Sequence, residues 1–368
     1  MSALKTLVLG GYGNFGARIA RALVSEPGIE LVVGGRDLVR AELFAASLGS
    51  AAQALRVDAA SPDLADTLQA RGFGLVIHTA GPFQAQGHGV ARSCSAAGCH
   101  YIDLADGRRF VCDFPAALHE SFQRAGRSAI TGASTVPALS SAVVEHLSAG
   151  WLAIHSVDIC IAPAQSAPRG VATLAGVLSY CGAPVSVWQE GHWQPRTGWA
   201  QPEPVRFARL KTRLGALCDV PDLEIFPERY RVRDRVMFRA ALEVGLSQRA
   251  FAWIAAARSR GWFFRPEKLA PLLHGIAPVL NPWGSALGGM VVCVSGLDSQ
   301  GKAVQRAWHL AADHDHGPEI PAMPAILLAR RIAQGHALPV GAHTATGLLP
   351  LASFAPEFAR WGMVTDEA

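Results

Sequence analysis

The most restrictive feature of this chain stands at its start. A short apolar run, Thr6-Leu7-Val8-Leu9, leads into Gly11-Tyr12-Gly13-Asn14-Phe15-Gly16, after which apolar residues recur at Phe15, Ile19 and Leu23. A short apolar run ended by glycine reads as a strand buried on both faces, and i, i+4, i+8 spacing with Arg18 and Arg21 off that face reads as a helix covering a sheet. Strand, G-x-G-x-x-G turn and helix in this order suit a dinucleotide: the first glycine makes the turn, the second admits the pyrophosphate, and the third lets helix approach strand. Tyr12, Asn14 and Phe15 lie in the same loop and count with Gly11, Gly13 and Gly16 as candidate cofactor contacts.

The pattern then repeats. Apolar runs at Leu31–Val33, Ala54–Val57, Leu75–Ile77, Tyr101–Leu104 and Ala129–Thr131 predict five further strands. Helices are expected over Leu38–Leu48 behind an Asp37 cap, after Ser61-Pro62, over Gly89–Ala97 and over Phe110–Ala125. Six strands separated by helices specify an α/β fold, a Rossmann-type doubly wound parallel sheet, because parallel neighbours need crossovers that cover both faces. Near residue 135 the texture changes, and all nine tryptophans lie beyond Gly150. Period-two alternation at Val157, Ile159 and Ile161, a Glu190-Gly191 turn inside Val185–Trp193, and Asp298–Gly301 inside Met290–Leu310 predict hairpins. Helices Ala172–Tyr180, Ser247–Arg258 and Pro324–Gln334 interrupt them, so the second domain is expected to be α+β.

Composition narrows the partners. A chain of 368 residues suits two domains at about 150 residues each. Half its residues are apolar and 17% are charged, which excludes a disordered chain. A net charge of +4 without a long basic run leaves no footprint for nucleic acid, so a small-molecule substrate is the expected partner. Seven scattered cysteines without a C-x-x-C pair argue against disulfides and structural zinc, and fit a cytoplasmic protein. Neither a signal peptide nor a membrane span is expected; the longest weakly charged stretch, Ile276–Leu297, is broken by Pro278, Asn281 and Pro282.

Where an acidic residue would grip the ribose of NAD, the second strand ends in Gly34-Gly35-Arg36. A guanidinium there suits the 2′-phosphate of NADP(H), while the bland alternative is a solvated Arg36 beside a capping Asp37. Strand four ends in His78-Thr79-Ala80-Gly81-Pro82-Phe83, at the edge where open parallel sheets bind ligands. His78 is a candidate proton carrier or a hydrogen-bonded structural histidine. Asp103 and Asp106 end the fifth strand at the same edge, to orient substrate or relay protons, or else to cap the helix beginning near Arg109. No Y-x-x-x-K pair exists, and Ser134-Thr135 lacks a neighbouring cysteine, which excludes short-chain and acylating aldehyde dehydrogenase chemistry. Arg229, Arg231, Arg233 and Arg235 alternate as if on one strand face, for an anion or for solvent. His309, Asp313, His314, Asp315 and His316 match no familiar zinc spacing, so no metal is expected.

In order, GGYGNFG, GGR, HTAGPFQ, YIDLADGR and GASTVPALSS resemble the saccharopine dehydrogenase-like NADP-binding oxidoreductases over the first 145 residues. RGVAT from Arg169, Gly288-Gly289-Met290 and DHGPEIPAMPA extend the likeness to bacterial members more loosely. The resemblance implies a cofactor domain at 1–136 and 318–368, with a substrate and dimerisation domain inserted at 137–317. It also implies that Gly11, Gly13, Gly16 and Arg36 touch the cofactor, with Thr79, Ala80 and Gly81 near the nicotinamide ribose. The expected function is NADP(H)-dependent hydride transfer to or from a carbonyl, imine or activated alkene, with the proton moved by His78, Asp103 or water. The reading of a different class is a noncatalytic NADP(H)-binding sensor, and a homodimer is the candidate assembly.

Overall fold

The computed structural model describes residues 3–168, 170–262 and 265–368; Arg169, the first residue of RGVAT, lies outside the described residues, as do Met1, Ser2, Phe263 and Phe264. The chain opens with six strands: β1 (Leu4–Leu9), β2 (Ile29–Gly35), β3 (Ala52–Arg56), β4 (Leu75–His78), β5 (His100–Asp103) and β6 (Ser128–Thr131). Helices Asn14–Leu23, Leu38–Ser47, Leu64–Ala70, Gly89–Ala96 and Arg108–Ala125 separate them. Eight strands follow in the second unit: β7 (Ala153–Ala162), β8 (Pro184–Gln189), β9 (His192–Thr197), β10 (Glu203–Val205), β11 (Arg213–Leu217), β12 (Arg235–Ala241), β13 (Gly288–Leu297) and β14 (Ala303–Ala312). The chain then contributes β15 (Gly341–Thr344) to the first sheet and β16 (Val364–Glu367) to the second.

The first sheet runs β15-β6-β5-β4-β1-β2-β3, and every pairing in it is parallel. Its centre is sealed by Leu7, Val8, Leu31, Val33, Leu75 and Ile77, none of which exposes surface, as the two-sided burial of a parallel sheet demands. The reversal of strand order lies between β1 and β4, so the loops after those strands splay apart and open a crevice at the carboxyl edge. A seventh strand, β15, extends the six expected from sequence.

The second sheet runs β10-β11-β12-β7-β13-β14-β16, with β8 and β9 as a hairpin against β12. Among the described residues only β12 and β7 are parallel neighbours in it, and the other pairings are antiparallel. The hairpins sit where the turn residues called for them: Glu190 and Gly191 both take positive φ between β8 and β9, and Asp298 accepts the Gln300 and Lys302 amides between β13 and β14.

The chain divides into Met1–Ala138 with Glu319–Leu349, and Leu139–Pro318 with Pro350–Ala368. The return to the first unit therefore stops short of the expected 318–368. Residues 350–368 stay with the second sheet because β16 pairs antiparallel with β14, Trp308 opposite Glu367, and Phe358 lies 6.1 Å from Trp308. Helix Met323–Ala333 belongs to the first unit, buries Ile326, Leu328 and Ala329, and ties Arg330 to Glu26 at 2.7 Å.

The arginine stripe is also corrected. Leu223 and Phe226 are buried at helical spacing, so Asp222–Arg229 is a helix; Arg231 takes φ 48°, and only Arg235 begins a strand. Arg229 pairs with Glu145 and Arg235 with Asp158, so the four share no face.

Candidate functional site

The glycine loop is built by hydrogen bonds between strand ends. The Gly10 and Gly11 amides donate to the Gly34 carbonyl at 2.9 and 3.1 Å, and the Gly13 amide donates back to Gly10 at 2.9 Å. Helix Asn14–Leu23 then begins at Gly13 without a side-chain cap, and the first turn of any helix leaves amides that an anion can satisfy. A Cβ on Gly16 would collide with the Gly10 carbonyl oxygen and the Thr79 hydroxyl. Thr79 therefore plugs the loop from beneath: its hydroxyl donates to the Leu9 carbonyl at 2.9 Å, with the Gly10 carbonyl 3.2 Å away. Asn14 is also engaged within the protein, since its side-chain oxygen accepts from Arg18 at 2.7 Å.

The end of β2 has the same economy of space. Gly35 lies under the Tyr12 ring, where any Cβ would clash, and the Tyr12 hydroxyl accepts the Asp37 amide at 3.1 Å. Asp37 accepts the Arg40 amide at 3.1 Å and so caps helix Leu38–Ser47. Arg36 is exposed, and among the described residues no hydrogen bond or ion pair engages it. Arg40, one turn on, holds its guanidinium 4.9 Å from the centre of the Tyr12 ring. Sequence reasoning missed Arg40. Its place in the first turn of the helix that the Asp37 cap starts, four residues after Arg36, is the signal that could have found it.

After β4 the chain folds tightly around Gln86. The Gln86 side-chain amide donates to Ala80 at 2.7 Å and Pro82 at 3.1 Å, and its oxygen lies 3.2 Å from His78 Nε2. Gln86 was not singled out from sequence; nothing local distinguishes it from neighbouring polar residues. His78 is 1% exposed, packed edge-on against Phe83 at 5.1 Å and near Tyr101 at 6.3 Å. Burial lowers its pKa to about 4 against the bond it donates to the Gln86 oxygen, so the ring is neutral at physiological pH. Ala80 and Gly81 follow at the open edge, Gly81 exposed.

Asp103 ends β5 with no exposed surface. Its Oδ1 accepts the Ala105 amide at 2.9 Å, the Gly132 amide at 2.8 Å and the Thr131 hydroxyl at 3.0 Å, which ties β5 to β6. Gly132 takes φ 72°, which points its amide at the carboxylate, and only glycine adopts that conformation freely. Burial pushes Asp103 up to about 6 against these bonds and the pull of the Tyr101 hydroxyl beside it, although neither Oδ2 nor that hydroxyl has a partner in good hydrogen-bond geometry. Asp106 takes a bond from Gln84 at 3.0 Å, while helix Arg108–Ala125 starts at Gly107 without a side-chain cap. Neither aspartate is the cap that sequence offered as an alternative.

In the first unit the structure thus gathers the loops after β1, β2, β4, β5 and β6 at one edge. In the second unit the histidine-rich segment disperses. His309 accepts the Ala208 amide, Asp315 accepts the Ser166 hydroxyl and His316 donates to the Trp361 carbonyl. Among the described residues no group of three or more His, Cys, Asp or Glu side chains gathers to hold a metal.

Residues 6–130 match the family model described as Saccharopine dehydrogenase NADP binding domain. No curated protein matches the chain. Among solved structures, the apo saccharopine dehydrogenase (L-Glu forming) of Saccharomyces cerevisiae is 12% identical, with a TM-score of 0.72 over 100% of this chain and 99% of that one. An engineered D-amino acid dehydrogenase bound to NADP+ gives 14% and 0.51 over 98% and 99%. The C. glutamicum DAP dehydrogenase in complex with DAP gives 14% and 0.50 over the same shares. At these identities the likeness is one of fold.

Proposed function

We propose that this chain, whose residues 6–130 are a saccharopine dehydrogenase-type NADP-binding domain, is an oxidoreductase that passes hydride between NADP(H) and a carbonyl, imine or activated alkene of a small molecule. The observation that carries this reading is the end of β2. Gly34 and Gly35 offer no carboxylate to the adenosine ribose, and the Arg36 guanidinium is exposed and unspent. The residues fit the cofactor: no side chain has room at Gly16 or Gly35, so the helix start sits tight on the strand ends and its first-turn amides are left to the phosphates.

In this reading Gly11, Tyr12, Gly13, Asn14, Phe15 and Gly16 line the pyrophosphate, and Arg36 meets the 2′-phosphate. Thr79, Ala80 and Gly81 border the nicotinamide ribose, with Thr79 keeping the glycine loop in place. The bound cofactor supplies the hydride from its C4. Asp103 is the better candidate for the proton, since its carboxyl titrates near 6 with the Tyr101 hydroxyl beside it. His78, neutral and sealed, has an N–H to offer only through Gln86. Calorimetric titration tests the cofactor site: Arg36→Ala should cost NADPH ten- to a hundredfold in affinity, about 1.5 to 3 kcal/mol, and leave NADH unchanged. Equal affinities in the parent, or an unchanged ratio in the variant, would make Arg36 a surface charge. Asp103→Asn should slow single-turnover hydride transfer more than it weakens NADPH binding, and an unchanged rate would remove Asp103 from the chemistry.

One observation favours a second reading. Both candidate proton carriers are buried to 1% exposure or less, which suits an NADP(H) sensor that performs no turnover. A screen of amino-acid imines, enones and aldehydes for substrate-dependent NADPH oxidation separates the two. Tight binding without turnover, coupled to a protein partner's affinity, supports the sensor.

A further inference from the structure

Between β12 and β13, which flank β7 in the second sheet, the chain leaves for the excursion 245–283. It contains helix Gly245–Ser259, helix Ala270–Ile276 and the 3-10 turn Ala277–Trp283. Its stem is pinned. Glu243 accepts the Ser285 hydroxyl at 2.6 Å and amide at 3.0 Å, and the Gln165 amide at 2.9 Å. Gln165 in turn donates to the Ala277 carbonyl and the Asn281 side chain.

The outer surface of this excursion is unlike an ordinary solvated one. Trp283 is 70% exposed, Trp262 68%, Leu246 66%, Val279 63%, Leu272 59% and Ile276 47%. Scattered apolar residues need no explanation, but this many large ones within one short excursion mark an interaction surface. Helix Gly245–Ser259 buries Gln248, Phe251, Ile254, Ala255 and Ala257, so Leu246 and Arg249 lie on its outward face, with Arg260 following at heptad spacing from Leu246.

Charge selects the occupant. Residues 245–283 carry Arg249, Arg258, Arg260, Arg265 and Lys268 against Glu267 alone, a net +4; Arg258 turns inward onto the Ser179 and Cys181 carbonyls, and the other four cations are exposed. The whole chain also sums to +4, so the remainder is neutral and its excess cations all lie here. Against a second copy through a two-fold axis, this face would set cation against cation. Against a bilayer, tryptophan rings suit the headgroup level and the cations meet lipid phosphates. Among the described residues no helix is long and apolar enough to cross a membrane.

We propose that the 245–283 excursion docks this protein on a membrane face bearing anionic lipid headgroups, through Trp262, Trp283 and the leucines inserted among arginines. The site is independent of the cofactor reading. The test floats the full chain with phosphatidylcholine vesicles containing phosphatidylglycerol, and with phosphatidylcholine alone. The parent should rise with the anionic vesicles, less so in high salt, and stay behind with the neutral ones. A Trp262→Glu, Trp283→Glu double variant should stay behind with both while its thermal melt is unchanged. Lys268→Ala and Arg260→Ala, on exposed positions that spare the apolar contacts, should each weaken binding about fivefold. Equal binding to both vesicles, no binding by the parent, or binding that ignores all these variants would overturn the proposal. So would a parent dimer, seen by sedimentation without lipid binding, that the double variant dissociates; the face would then belong to a second copy.

Discussion

Each unit buries an aspartate completely, and the two carboxyls are treated in opposite ways. In the first unit, Asp103 receives three donors on Oδ1 from its own loop and from the turn after β6. In the second, Asp222 opens helix Asp222–Arg229 with both oxygens sealed, and its donors are fewer: the Ser140 hydroxyl and its own backbone amide stand beside it, neither in good hydrogen-bond geometry. Burial raises Asp222 to about 7, and Asp103, compensated by its donors, only to about 6. Residue type and burial are the same, so the difference comes from the neighbouring backbone. A positive-φ glycine lets the turn after β6 aim the Gly132 amide at the Asp103 carboxylate, whereas Asp222 has no such turn and keeps its proton up to about pH 7.

The largest expected effect breaks the first half of that contrast. Asp103→Leu strands the Gly132 and Ala105 amides and the Thr131 hydroxyl in a dry site and should cost about 4 kcal/mol in urea denaturation. A loss below about 1 kcal/mol would mean the carboxylate is no crosslink. Asp222 should show the opposite character. Its folded pKa is raised, so its contribution is full below the unfolded value near 4 and is lost as pH rises through about 7. Asp222→Asn should therefore be more stable than the parent by about 3 kcal/mol at pH 8 and show no such gain at pH 4. A variant that tracks the parent across this range removes the buried acid from the account.

His78 sharpens the comparison from the other side. Its folded pKa is depressed to about 4, so stability is full above the unfolded pKa near 6.5 and falls as pH drops toward 4. Between pH 7 and pH 5 the parent should lose about 2 kcal/mol that His78→Phe retains, read as a shift in melting temperature. The smallest effect is expected at Thr131→Val, which removes one of three donors to Asp103. It should cost about 1 kcal/mol and move the Asp103 titration, followed by carboxyl NMR, upward from about 6.

What could be read from sequence was local. The glycine loop, the Asp37 cap, the Glu190-Gly191 hairpin and the helix that Gly335 ends with φ 78° each depend on residues a few positions apart. The candidate edge was legible as positions, since β4 and β5 must end where His78 and Asp103 stand, but not as partnerships. The tie from Asp103 to Gly132 and the plug of Thr79 under Gly10 join residues far apart in the chain. The arginine alternation misled because period two in charge was weighed above the helical spacing of Leu223 and Phe226. The division of the C-terminal segment was hidden for another reason: β15 (GAHT) and β16 (VTDE) lack the apolar run that marked the equally short β4, β5 and β6.

Strand β15 has a consequence in time. Its partner β6 ends at Thr131, yet Gly341 is made 210 residues later, 341 minus 131, after nearly all of the second unit. At about 5 to 20 residues per second, the β6 edge waits roughly 10 to 40 seconds for its neighbour. During that interval a parallel sheet with a bare backbone ladder is exposed to whatever strand arrives first. Synthesis of this protein thus includes a window in which the half-built sheet must be shielded, and slowing translation between Thr131 and Gly341 lengthens it.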